Sequence, residues 1–423
     1  MNILPKFNRN DARILGCWLL LGLLSGCGAP LTPGPTPASG EIVVLWHGFT
    51  DARQEALLAL GDRFNAERPA GITLVIEYHA DLPALLPTTS PDQRPDLVIA
   101  MADEVPAYAA QGLTALAPAD IPADLLPMGR ALFTVKGTLQ ALPLGLATYV
   151  LYTNDNWLRD IGYTPATAIL EDLHLSTCRA TDLASGQVGL GLPSQPGVLL
   201  ALLAAGEASL IGEDGYYHFD DPAGARLGAI VKEGLRAACI RTFALPAEGI
   251  TQFGDSAMAM LIESSLNRRE IQAAVAAESN FTLGVTRLPG PTGPGATLWY
   301  GVGIFATRTA EPQHPAAGVV LDWLLQPEAQ ALWTAKTHYL PVRADSIAAQ
   351  LAALPAEAGI ERALLELTQE VAANGAWTVW PAQAYGATCR AALVQALTAL
   401  NTELPAHEAL QEAVDSCNRE LAP

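Results

Sequence analysis

Apolar residues along this chain fall in short continuous runs separated by turn residues, and between several runs the spacing switches to a helical period. Residues 41–46 (EIVVLW) are bounded by Gly40 and His47-Gly48, which is the length and punctuation of a buried strand. Asp51 then offers an N-cap with Gln54 three residues on, and Leu57, Leu60 and Phe64 follow on one helical face, ending near Pro69 and Gly71. Residues 72–78 (ITLVIEY) and 96–100 (DLVIA) predict two more strands, with a helix over 104–111 after them. Strand, helix, strand at this spacing implies parallel βαβ pairing and an α/β fold. Residues 142–152 (LPLGLATYVLY), 281–288 and 299–307 are strand-like again. From 315 onward helices are expected at 316–325, 327–336, 357–373, 389–400 and 407–421. No internal repeat is visible.

Composition narrows the possibilities. The chain has 423 residues, half of them hydrophobic and 16% charged, so it has ample surface to bury and is not disordered. With 24 Lys+Arg against 43 Asp+Glu the net charge is -19, which argues against nucleic acid and against electrostatic docking on anionic lipid, since both need clustered cations. The one positive cluster, Lys6, Arg9 and Arg13, precedes an apolar run at 14–24 that is shorter than the roughly 20 residues a spanning helix needs. It reads as a signal peptide covering residues 1–26. The run ends in Leu24-Ser25-Gly26-Cys27, which resembles the bacterial lipobox and implies lipidation at Cys27. Removing the leader takes away three cations and Asp11, so -19 becomes -21. Residues 27–40 then carry Pro30, Pro33, Pro35 and Pro37, the composition of an extended tether.

Cysteine usage agrees with export. Beyond Cys17 and Cys27 there remain Cys178, Cys239, Cys389 and Cys417, an even number that permits three connectivities. The pairing Cys178–Cys239 and Cys389–Cys417 is favoured, because each pair lies within one region of the chain. No CxxC occurs and the seven His are scattered, so neither metal nor cofactor is expected.

Several segments, in order, resemble the family-1 extracellular solute-binding proteins, the lipoprotein receptors of ABC sugar importers. Trp46-His47-Gly48-Phe49 and the helix containing Asp62-Arg63-Phe64-Asn65-Ala66 match the opening, and Pro95-Asp96-Leu97-Val98 matches a "PDLV" strand. Leu142-Pro143-Leu144-Gly145 through Tyr152-Thr153-Asn154 is similar to the interlobe crossover. Phe253-Gly254 to Met258-Ala259-Met260 and Thr337-His338-Tyr339-Leu340-Pro341-Val342-Arg343 match two later motifs. The resemblance implies a two-lobe, type II periplasmic-binding-protein-like α/β fold. Each lobe is a mostly parallel sheet flanked by helices, and ligand binds in the cleft between them. It places lobe 1 at 41–147 plus 304–343 and lobe 2 at 148–303 plus 344–423. It also implies a lipid-anchored extracytoplasmic receptor, expected to be a monomer, that delivers a carbohydrate to ABC permease subunits.

Ligands of open α/β sheets sit beyond the carboxyl ends of strands. The candidate contacts are therefore His47, Phe49 and Thr50 after the first strand, and Asp103 and Glu104 after the DLVIA strand. Thr148 and Tyr149 lie in the crossover, Glu263, Ser264 and Ser265 after MAMLI, and Trp299, Tyr300 and Gly301 in a second crossover. Tyr339 occupies the YLP turn, and Trp377, Trp380 and Tyr385 a late loop. Aromatic faces for sugar C–H surfaces and carboxylates for hydroxyl pairs suit a neutral polyol. Asp103 ranks first, because it matches the position where maltose-type members hold sugar hydroxyls.

Each candidate has a plain structural alternative. Asp103 competes with an N-cap role, Glu263-Ser264-Ser265 with a cap before a helix at 266–274, Trp299 and Tyr300 with ordinary strand packing, and His47 with a hydrogen-bonded loop histidine. The crossover acid of maltose-type relatives is Ala147 here, and a usual stacking Trp is Leu266. Glycerol-3-phosphate-binding relatives carry a phosphate-contacting Arg in the late loop, where this chain has none before Arg390, so a phosphate ester is the weaker reading. A glycoside hydrolase needs two placed carboxylates, and no GxSxG, HExxH or Walker A pattern occurs. A binding protein is therefore expected rather than an enzyme.

Overall fold

The computed structural model describes residues 40–116, 121–164, 169–279, 281–308, 315–381 and 386–421; residues 1–39, which hold the expected leader and nearly all of the expected tether with Cys27, and Tyr385 lie outside the described residues. The three early apolar runs become β1 (Ile42–His47), β2 (Thr73–Tyr78) and β3 (Leu97–Met101), all parallel with β1 in the middle. The helix Ala52–Glu67 makes the crossover between β1 and β2, burying Leu57, Leu60 and Phe64. Asp51 caps it by accepting from the Arg53 N–H at 2.9 Å.

After a two-residue hairpin pair, β4 (Thr134–Val135) and β5 (Thr138–Leu139), comes β6 (Leu142–Asn154). All 13 of its residues are buried, because β6 is shared by both halves of the molecule. Its first part pairs antiparallel with β11 (Thr297–Ala306), and its second part with β9 (Met258–Ser264) and β10 (Leu283–Thr286). β9 is parallel to β7 (Val188–Pro193), which is parallel to β8 (Ile240–Phe243). The sheet therefore runs β2-β1-β3-β11-β6-β9-β7-β8, and β12 (Trp377–Val379) pairs parallel with β11. Each end is a parallel α/β unit, and β6 and β11 carry the chain between them. Gly301-Val302-Gly303-Ile304-Phe305-Ala306 fits a loose GxGxxA pattern but lies wholly inside β11, so it opens no helix as a dinucleotide-binding loop would.

One apolar cluster covers the first half and continues over β6 and β11 onto one face of the second, through Phe253, Ile271 and Leu364. A second cluster fills the opposite face, between the helices Pro196–Ala205, Pro222–Arg236, Ala387–Leu400 and Ala406–Leu421. Cys178–Cys239 and Cys389–Cys417 are disulfide-bonded, the favoured pairing. β7 and β8 escape a reading by apolar runs because β7 reads VGLGLP. Gly189 is needed there, since a Cβ would meet the Thr177 carbonyl oxygen of the overlying helix at 1.9 Å.

Candidate functional site

Where β11 and β6 lie side by side, Gly301 lets their backbones approach: a Cβ on it would meet the Gly145 carbonyl oxygen at 2.1 Å. Beside this contact β3 ends and its loop begins. Met101, Ala102 and Asp103 from that loop, Tyr300 and Gly301 from β11, and Trp380 just past β12 line a concavity of about 90 Å³. Four predicted residues from three distant parts of the chain thus meet. The Trp380 ring lies 5.9 Å from Tyr300, and Tyr300 lies 5.4 Å from Tyr149, which gives a run of three aromatic rings along the crossing strands.

Asp103 does not cap the helix Val105–Ala110. The N-cap is Glu104, whose side chain makes no capping bond to the helix, and the Asp103 Oδ2 instead accepts from Arg390 at 3.2 Å. Burial raises the Asp103 pKa, opposed by a hydrogen bond to its own backbone and by the Arg390 charge. Glu104 turns back on itself: its Oε2 accepts from the Met101 N–H at 2.8 Å, and burial raises its pKa too. Two arginines that the sequence reading left out of the site therefore approach it. Arg390 reaches Asp103, and Arg53 places its NH1 3.5 Å from the Met101 sulfur while covering the Phe49 ring at 4.2 Å. Arg53 is otherwise engaged with Asp51 at 2.7 Å. The signal for Arg390 was its place three residues into a helix whose start is tied down by a disulfide. Sequence spacing alone gives no direction for that helix.

The remaining candidates separate into two groups. His47, Phe49 and Thr50 lie at or just past the end of β1, and Tyr339 lies just past the helix Pro327–Thr337. His47 is 1% exposed, and its Nδ1 accepts from the Phe49 N–H at 3.2 Å, so it is a hydrogen-bonded histidine, placed on the last residue of β1 and not in a loop. Burial, helped by the nearby His79, lowers its pKa to about 4. Thr50 is exposed, and Tyr339 is buried with its ring stacked on Trp333.

Thr148, Glu263, Ser264, Ser265 and Trp299 are sealed in the crossing. Thr148 gives its hydroxyl proton to the Leu298 carbonyl at 2.8 Å and its N–H to the Ser265 hydroxyl at 3.1 Å. Ser264 accepts from the Leu266 N–H at 3.0 Å, which is the helix-cap reading, and its hydroxyl is hydrogen-bonded to Tyr300. Glu263 is fully buried, with Oε1 accepting from the Ser264 N–H at 2.7 Å and Oε2 without a partner among the described residues. Burial pushes its pKa up to about 7, against the pull of the Ser264 N–H and the Asn267 side chain. Trp299 has no exposed surface. Trp377 belongs to β12 opposite Thr297, not to a loop. Tyr385 lies outside the described residues.

A larger concavity of about 710 Å³ opens on another side of Trp380, between Leu132, Thr134 and Val135 and the stretch Ala208–Ile211. Glu207 is its one charged lining residue, and Thr134, Ser209, Thr378 and Trp380 line it as well. Among the described residues no cluster of His, Cys, Asp and Glu could hold a metal, and no helix is long and apolar enough to cross a membrane.

Solved structures share this fold. The sugar-binding protein MalE from the phytopathogen Xanthomonas citri is 18% identical, with 90% of this chain and 97% of that chain covered and a TM-score of 0.76. The cyclic alpha-maltosyl-1,6-maltose binding protein from Arthrobacter globiformis is 20% identical over 90% and 99%, TM-score 0.72. An extracellular solute-binding protein from Staphylococcus aureus, in complex with maltose, is 14% identical over 90% and 99%, TM-score 0.73. These likenesses confirm the two-lobe type II architecture. No curated protein sequence matches the chain. The sequence model described as bacterial extracellular solute-binding protein matches residues 59–359, and the chain belongs to that family.

Proposed function

We propose that this protein is the carbohydrate receptor of an ABC importer, lipid-anchored through Cys27 and delivering its ligand to permease subunits by hinge closure. The lobes would be 41–147 with 304–343, and 148–303 with 344–423, moving about β6 and β11. The ligand would lie against Asp103, Tyr300, Gly301 and Trp380, with Tyr149 behind them and the rim of Phe49, Thr50 and Arg53 near one end.

The observation that carries this reading is the meeting of Asp103 with Tyr300 and Trp380 at the end of β3, beside the strands that join the two halves. A carboxylate accepts from two adjacent hydroxyls, and an aromatic face covers the C–H side of a sugar ring. The fold neighbours bind maltose and maltodextrin-type glucans, which present both features. The phosphate alternative gains nothing from Arg390, because its charge is already matched by Asp103. Receptor closure follows if the ligand touches both lobes, since only the closed state then offers all contacts.

The test is thermal unfolding and calorimetry of residues 27–423 with maltose, maltotetraose and glycerol-3-phosphate. A ligand at about 100 times its Kd stabilises by about 2.7 kcal/mol. Asp103→Ala is expected to weaken carbohydrate binding roughly 10- to 150-fold, the range for losing a hydrogen bond to a charged group. A shift with glycerol-3-phosphate and none with any glucan overturns the sugar assignment.

A further inference from the structure

The concavity that gathers the ligand residues is about 90 Å³, below the roughly 300–1,000 Å³ of ordinary ligand pockets, and it shares Trp380 with the neighbouring concavity of about 710 Å³, so a sugar lying there touches Asp103 only if the groups around that carboxylate give way. What bridges those walls is specific. Asp103 follows β3 in the first half, whereas Arg390 stands on the helix Ala387–Leu400, whose buried face packs into the second half's own cluster. Their 3.2 Å contact thus joins the two halves across the candidate cleft.

Arg390 is held there firmly. The preceding residue, Cys389, is disulfide-bonded to Cys417, and the N–H groups of Thr388 and Cys389 donate to the Glu420 carboxylate at 2.7 and 3.1 Å. The helix start is therefore fixed to the helix Ala406–Leu421 by one covalent and two charge-assisted links. The guanidinium has little freedom except in its own side chain.

We propose that the Arg390–Asp103 ion pair ties the two halves together beside the cleft, and that a carbohydrate must exchange with it to bind. This rests on the reading of Asp103 as a ligand residue. Because the guanidinium takes up part of the acceptor capacity of the Asp103 Oδ2, the ion pair competes with a sugar hydroxyl for that oxygen. Arg390 then sets both the affinity of the receptor and how far its empty form stays shut. The side chains are 23% and 47% exposed, so salt weakens the pair, and its contribution is that of a partly screened bridge.

The experiment uses residues 27–423 as wild type, Arg390→Ala, Arg390→Lys and Asp103→Asn. Small-angle scattering of the ligand-free proteins is expected to give a larger radius of gyration for Arg390→Ala, and for wild type in about 1 M NaCl, where the screening length is about 3 Å. Arg390→Lys is expected to stay compact at low salt. Calorimetry with maltotetraose is expected to show Arg390→Ala binding about two- to five-fold tighter than wild type, without the wild type's gain in affinity on adding salt. Asp103→Asn is expected to be expanded as well and to bind weakly. Unchanged scattering and unchanged affinity in Arg390→Ala overturn the proposal, as does weaker binding, which would make Arg390 a direct ligand contact. If Asp103→Asn binds maltotetraose like wild type, the ligand reading of Asp103 fails, and with it the exchange; the scattering arm then judges the closing contact separately.

Discussion

Two carboxylates stand at corresponding places in the two halves: Asp103 two residues after β3, and Glu263 at the end of β9, each followed by a helical turn. Position relative to the sheet makes both ligand candidates, yet their surroundings differ. Asp103 faces the gap between the halves and meets a cation from the far side. Glu263 pairs with Val150 in the register of β6 and β9, is fully buried, and leaves one oxygen unpaired. The crossing strand separates the two cases. β6 runs past β9 to its last residue, so the Glu263-Ser264-Ser265 segment is stitched to both β6 and Tyr300 of β11, whereas β3 pairs with β11 only as far as Met101. A strand end stays open to the concavity where the crossing strands leave it uncovered, and becomes part of the crossing core where they do not; on the proposed reading the first is site and the second hinge support.

The same contrast divides two tryptophans and carries the largest expected effect. Trp299 is fully buried in β11, and Trp380 is half-buried at the concavity. Trp299→Ala is expected to cost about 3–5 kcal/mol in urea unfolding, as for a large core aromatic. Trp380→Ala is expected to cost about 1 kcal/mol, while weakening glucan binding by about tenfold in calorimetry. If the two variants lose stability equally, the distinction between hinge support and site is broken.

Glu263 is the next lever. Its folded pKa of about 7 lies above the ordinary value of 4.5, so the native state holds a proton that the unfolded chain has released. Its favourable share of stability is complete below about pH 4.5 and is lost as pH rises through 7, roughly 3 kcal/mol in all. His47 acts in the opposite sense. With a folded pKa of about 4 against 6.5, stability is full above 6.5 and falls as pH drops toward 4. The two nearly cancel in between. Glu263→Gln keeps an acceptor for the Ser264 N–H and removes the charge. It is expected to match wild type near pH 4 and exceed it by roughly 3 kcal/mol at pH 8, leaving a curve that rises from pH 4 to 6.5 through His47 alone. Equal urea midpoints of Glu263→Gln and wild type at pH 8 would mean that Glu263 is not sealed.

These contrasts also show which parts of the molecule were readable in advance. Early strands were legible because EIVVLW, ITLVIEY and DLVIA are continuous apolar runs of strand length with clear ends. The C-terminal helices were legible from their period, and the disulfide pairing from its grouping. β7 was not, because Gly189, which lets the helix Leu170–Arg179 lie on it, and Gly191, which faces Met258 and Phe243, erase the β-branched signal. Trp377 read as a loop residue because three strand residues before a Pro carry too little pattern. For the site, Asp103, Tyr300, Gly301 and Trp380 were each named from local position. Their meeting depends on β6 and β11 crossing, a long-range fact that only the resemblance anticipated. Arg390 was passed over because proximity to Asp103 is set by how two helices stack, which periodicity does not encode.

The smallest effect separates two aspartates that local pattern treats alike. Asp51 and Asp103 both follow a strand and precede a helix, and both read as N-caps. Asp51 is one: its carboxylate accepts from the Arg53 N–H and also pairs with the guanidinium. Removing it is expected to cost about 1 kcal/mol. Asp103 makes no bond to its helix, and its one named side-chain partner, Arg390, is half exposed. Asp103→Ala is therefore expected to change urea stability by about 0.5 kcal/mol or less, even as it weakens glucan binding roughly 10- to 150-fold. A loss as large as that of Asp51→Ala would return Asp103 to a structural role, and the concavity would then have no acidic residue free to serve a ligand, since Glu104 is committed to Met101.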